Sequence, residues 1–191
     1  MSKIKKLLKS EKTVFTLDDL SAIWGQEKRT DTSQSAKQYA KNGELVRLRR
    51  GVYVLPKATP GIFEITYKLV SPSYLTGESA LVKHGASFQF SNRITSAALI
   101  SKRIKLNGTD FVYYKLNEQI FYNDLGISAD ENNVMIAGPE RAIADLVYLT
   151  GWKFPFEDIS FVDWDKLEEI GEIYGKKSVR ANIAMLKEKY A

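Results

Sequence analysis

Residues 43–56, GELVRLRRGVYVLP, set three arginines (Arg47, Arg49 and Arg50) into a short segment with the marks of a β-hairpin. Val46 and Leu48 fall on one side of an extended chain, and Leu45, Arg47 and Arg49 on the other. Arg50-Gly51 supplies the turn, and VYVL (52–55) returns with the β-branched and aromatic residues a strand favours. Charge of this kind can simply protect a solvated edge from pairing. It can also grip an anionic polymer, and the sequence before the hairpin decides between the two.

Three helices precede it. In SKIKKLLKS, Ile4, Leu7 and Leu8 share one face under a lysine-rich outer surface. In FTLDDLSAIWG, Thr16 is the expected N-cap, Asp18 and Asp19 suit the first turn, and Gly25 closes the helix. The run TSQSAKQYAKNG gives a third helix, capped by Asp31 or Thr32 and stopped at Asn42-Gly43. Three helices and then a hairpin is the order of a winged helix-turn-helix, whose third helix enters the major groove while the hairpin holds the flanking backbone.

The residue types fit that use. Ala36, Tyr39 and Ala40 form the inward stripe of the third helix. Gln34, Gln38 and Lys41 then face outward, with Ser35 and Lys37 on the flanks. Glutamine pairs bidentately with adenine, lysine meets guanine or phosphate, and serine reaches either. Arg47, Arg49 and Arg50 offer guanidinium forks to phosphate oxygens or a minor groove, and Lys28 and Arg29 can add backbone contacts. Gln34, Ser35, Lys37, Gln38, Lys41, Arg47, Arg49 and Arg50 are therefore the expected DNA-binding residues. Six such charges on phosphates would give log affinity a slope of about −5 against log salt.

Charge is divided unevenly along the 191 residues. Residues 1–57 hold 13 Lys or Arg against 6 Asp or Glu, and residues 58–191 hold 15 against 17. A basic head on a slightly acidic body suits a chain of which one module meets a polyanion. The segment PKATPGI marks the expected boundary, giving a winged helix-turn-helix over 1–58 and a second domain over 59–191.

The second domain reads as α+β. SPSYLTGESALVKHG contains a short helix from about Glu78 to His84. RITSAALIS, KRIKLNGTDFVYYKL and NEQIFYN read as strands, with a hairpin turn at Asn107-Gly108. NNVMIAGPERAIADLVYLTG reads as strand, turn and helix, with Pro139 at the first helical position. WDKLEEIGEIYG and KSVRANIAMLKEKY are closing helices with Leu167, Ile170, Ile183 and Leu186 inward.

Chemistry is thinly represented in this half. The single histidine, His84, and the absence of cysteine leave no metal-ligand cluster, so no metal and no cofactor is expected. Glu140, Arg141 and Asp145 lie close in sequence, but Arg141 and Asp145 stand four residues apart, as in a surface ion pair, and Glu140 suits a helix N-terminus. No catalytic residue is assigned. The aromatics of FVYYKL, QIFYN and GWKFPF read as core, and the acidic runs DENN and DWDKLEE as candidate partner patches or solvated faces. With no signal-like apolar core and no run long enough to span a bilayer, a cytoplasmic protein is expected.

Three blocks in order, NGELVRLRRGVYVLP, SYLTGESALVKHG and GPERAIADLVYL, resemble the AbiEi-type antitoxins of bacterial type IV toxin–antitoxin systems. The resemblance runs from the second helix to about Leu149. It implies an N-terminal winged helix that binds inverted repeats at its own promoter and represses the operon. It also implies a C-terminal domain carrying the antitoxin activity against a nucleotidyltransferase-like toxin, without a stable complex between the two. The alternatives are a winged-helix transcription factor or a protein-interaction module with no toxin partner, or an enzyme acting on nucleic acid through Glu140 or Asp145.

Overall fold

The computed structural model describes residues 2–10, 12–85, 92–151, 156 and 159–191. Helices and sheets are mixed throughout, and the chain divides into two compact units, Met1–Leu69 and Val70–Ala191. The first runs α1 (Lys3–Leu8), β1 (Val14–Thr16), α2 (Leu17–Trp24), α3 (Arg29–Lys41), β2 (Val46–Arg49), β3 (Val52–Val54) and α4 (Ile62–Leu69).

Helix α2 begins and ends as its sequence dictates. The Thr16 hydroxyl accepts from Asp19 N at 3.1 Å while the Asp19 carboxylate accepts from Thr16 N at 3.0 Å, a reciprocal capping box. Gly25 closes it in the left-handed conformation. Helix α3 departs from expectation at its start. Its N-cap is Lys28, without a side-chain bond, so Asp31 and Thr32 lie inside the helix instead of capping it. Thr32 is buried on the same stripe as Ala36, and that burial outweighs the local preference of Asp31 and Thr32 for a cap.

The expected hairpin is present and belongs to a three-stranded antiparallel sheet in the order β1-β3-β2. Val14, Phe15 and Thr16 pair with Val54, Tyr53 and Val52. Arg47 pairs with Tyr53 and Arg49 with Val52, with a bulge between the two arginines. The bulge adds a residue to one strand, so the simple alternation expected over 45–49 fails there. The core below the sheet joins Leu7, Phe15, Leu20, Trp24, Ala36, Leu45 and Tyr53. Trp24 and Tyr39 stack obliquely with ring centres 5.6 Å apart, and Trp24 Nε1 donates to the Lys3 carbonyl.

Helix α4 lies beyond the expected boundary at 58/59 yet belongs to the first unit. The Glu64 carboxylate accepts from Thr13 N at 3.1 Å, Val14 N at 3.0 Å and the Thr13 hydroxyl. Lys68 Nζ lies 3.0 Å from Asp19 Oδ2. These contacts tie α4 to β1 and to the cap of α2.

The second unit contains β4 (Ser73–Leu75), α5 (Glu78–Lys83), β5 (Arg93–Ala98), β6 (Lys102–Leu106), β7 (Thr109–Lys115), α6 (Glu118–Phe121), β8 (Ile127–Ala129), β9 (Met135–Ala137), α7 (Pro139–Thr150), α8 (Trp164–Glu172) and α9 (Lys177–Tyr190). Its sheet has the order β6-β7-β5-β4-β9-β8, with β5/β7 and β4/β9 parallel and the other neighbours antiparallel. Asn107 and Gly108 both take positive φ, the geometry of the expected tight hairpin turn. The strand expected in NEQIFYN is instead α6: Asn117 caps it by accepting from Gln119 N, and adjacent Ile120 and Phe121 are both buried. A strand would have sent those two side chains to opposite faces. Part of GWKFPF, residues 152–155, lies outside the described residues. Leu167, Ile170, Ile183 and Leu186 are buried as expected.

The ion pair expected on the surface of α7 is instead the buried centre of this unit. Arg141 and Asp145 are both 0% exposed. Arg141 donates to the carbonyls of Asn123 and Leu125 at 3.0 Å and of Ile120 at 2.8 Å. Asp145 accepts from the hydroxyls of Tyr174 at 2.6 Å, Thr76 at 2.7 Å and Tyr74 at 2.9 Å. Burial first, and then the Asp145 charge, hold both tyrosine hydroxyls well above their ordinary pKa, so they remain donors. Among the described residues, no helix is long and apolar enough to cross a membrane.

Candidate nucleic-acid interface

A cleft of about 850 Å³ opens in the first unit between α3 and the β2–β3 hairpin. Leu17, Gly51 and Tyr53 line it beside the polar chains of Arg29, Thr30, Ser33, Gln34, Lys37, Arg47 and Arg50. Local structure puts them there. Thr30, Ser33, Gln34 and Lys37 recur at helical spacing along one face of α3, and Arg47 and Arg50 flank the bulge and turn of the hairpin. Gly51 takes φ +82° and its carbonyl accepts from Leu17 N at 3.2 Å, which fixes the hairpin tip against the start of α2.

Four cations line this cleft. Arg29 is paired with Asp18, both chains being largely exposed. Lys37, Arg47 and Arg50 form no ion pair among the described residues. Positive charge with no internal neutralisation, in a concave surface, attracts a polyanion.

The eight residues expected to meet DNA separate into two groups. Gln34, Lys37, Arg47 and Arg50 converge on the cleft. Ser35 does not: its hydroxyl accepts from Lys3 Nζ at 2.8 Å and from Gln26 Nε2 at 3.4 Å. Gln38 is exposed but spends its amide on Asn42 Oδ1 at 3.0 Å. Lys41 is exposed near the end of α3, outside the cleft lining. Arg49 is half-buried beyond the bulge, with Nη1 buried and unbonded.

Thr30 and Ser33 line the cleft although the sequence reading gave them no role. They share the face of Gln34 and Lys37, and a helix begun at Arg29 instead of after Thr32 reveals them by periodicity alone.

In the second unit, Lys102, Lys105 and Lys115 on β6 and β7 are likewise exposed and form no ion pair among the described residues. Within the acidic runs, Lys83 meets Asp130 and Lys187 meets both Asp165 and Glu168, while Arg180 meets Glu172 just beyond them. Glu140 is 5% exposed, accepts from Asp163 N and pairs with Lys166. The Ser79 hydroxyl accepts from Thr95 N at 2.9 Å, and His84 Nε2 lies 3.0 Å from the Ala137 carbonyl. No group of metal-ligating side chains gathers among the described residues. The chain matches no protein-family profile and no curated protein sequence with which it was compared.

Proposed function

We propose that the first unit is a winged helix-turn-helix that binds double-stranded DNA through the cleft between α3 and the hairpin. In this reading α3 enters the major groove and the β2–β3 hairpin is the wing. The observation that carries it is the convergence of Arg29, Lys37, Arg47 and Arg50 on one concave surface with a single carboxylate partner among them. The family resemblance of the three sequence blocks extends the reading. The chain is then an antitoxin and cytoplasmic repressor that autoregulates its operon at inverted repeats. It counters a nucleotidyltransferase-like toxin through its second unit without forming a stable complex.

Fluorescence anisotropy on the DNA upstream of the reading frame tests the DNA-binding part. Four phosphate contacts give log affinity a slope of roughly −3 to −4 against log salt, shallower than the sequence alone suggested. Arg47→Ala with Arg50→Ala should weaken binding to all sequences and flatten that slope by about two contacts. Binding that ignores both salt and these substitutions would instead favour a protein-interaction module.

A further inference from the structure

We infer that Gln34 is a residue that selects sequence, and that its target is an adenine in the major groove. This rests on the DNA-binding reading above. Of the two glutamines on the outward side of α3, only Gln34 lines the cleft. It is exposed and makes no hydrogen bond to any described residue, whereas the Gln38 amide is held by Asn42. The other cleft residues do not match adenine. Lys37, Arg47, Arg50 and Arg29 have donors only, so they suit phosphate oxygens or guanine, and two of them come from the hairpin that would follow the backbone. Thr30 and Ser33 have hydroxyls, which accept either base partner, and the Thr30 hydroxyl already donates to Asp31. A primary amide alone among these groups presents one donor and one acceptor side by side. Adenine offers the complement: N7 accepts from Nε2 while N6–H donates to Oε1.

The test is selection from random duplexes followed by anisotropy on the selected site. Wild type should enrich a motif with a fixed A·T pair, and Gln34→Ala should lose the preference at that pair alone, with affinity for the site reduced roughly 5- to 150-fold. Replacing that adenine by 7-deazaadenine, which removes the N7 acceptor, should weaken wild type roughly 2- to 12-fold and leave Gln34→Ala unchanged. Gln38→Ala should behave as wild type. An unaltered motif in Gln34→Ala, or equal loss in both proteins on the deaza duplex, overturns this inference while leaving DNA binding intact. Failure of wild type to bind any duplex overturns the functional reading itself.

Discussion

Asp18, in the first turn of α2, and Arg29, the first residue of α3, form an ion pair in which the arginine also lines the cationic cleft. Both side chains are mostly exposed, 74% and 66%, so the pair itself adds little stability. In the proposed DNA-binding reading its consequence lies in binding, because the carboxylate occupies a guanidinium that a phosphate would otherwise engage. Asp18→Asn should therefore tighten DNA binding roughly 1.5- to 5-fold, matching the about 0.2–1 kcal/mol of an exposed pair, and steepen the salt slope. Anisotropy at two salt concentrations measures both, and unchanged affinity would remove Arg29 from the phosphate contacts.

Asp19, one residue on, makes the stability of the first unit depend on pH. Burial alone would raise its pKa, but hydrogen bonds from Lys12, the Thr16 backbone, Lys68 and the Thr16 hydroxyl together hold it well below the usual carboxylate range. A depressed folded-state pKa contributes stability that is present above the unfolded value, about 3.9, and is lost as pH falls through the folded value. Between pH 5 and pH 2 the urea midpoint of wild type should fall more steeply than that of Asp19→Asn. Parallel pH profiles for the two proteins would contradict this account.

The Arg141–Asp145 pair makes the opposite kind of demand. Arg141→Met leaves a buried carboxylate without its counter-charge, and Asp145→Leu strands the guanidinium, so each should cost about 3–5 kcal/mol. The double substitution removes both charges and should cost clearly less than the sum of the two. Denaturant unfolding followed by a probe in the second unit provides the comparison.

Gly126 sits against this network. It takes φ +76°, and a Cβ there would come within 2.9 Å of both Arg141 Cβ and Ile170 Cδ1. Gly175 has a similar φ, +61°, with no neighbour inside 4 Å. Gly175→Ala should cost only the conformational penalty of about 1–2 kcal/mol. Gly126→Ala should exceed it by about 1–3 kcal/mol of overpacking strain. Equal losses would mean that the Arg141 helix can retreat from the added methyl.

Local chemistry was legible at several helix ends and turns, although the Asn117 cap of α6, two residues from its Gln119 partner, lay in a segment that reads as a strand. The Thr16 cap, the Gly25 stop, the Asn107-Gly108 turn and Pro139 at the start of α7 all stand where side-chain capping and backbone preference place them. The faces of α8 and α9 followed from helical periodicity in the same way. Strands β1, β4 and β8 are too short to show a period, and they lack the flanking Arg50-Gly51 turn and β-branched run that reveal the equally short, buried β3. The start of α3 was misplaced because Thr32 caps well in isolation and packs better in the core.

The sequence by itself determined the basic amino-terminal segment, the hairpin and the polar side of α3, since composition and local preference need no distant partner. Only the tertiary structure decided which polar residues converge: Gln34, Lys37, Arg47 and Arg50 meet across the cleft, while Ser35, Gln38 and Arg49 are drawn elsewhere by Lys3, Asn42 and the bulge. It likewise made a buried network of the Arg141–Asp145 spacing that reads as a surface pair. Spacing along one helix sets which side chains are neighbours, but whether water or Tyr74, Thr76 and Tyr174 surround them depends on strands and helices far away in the chain.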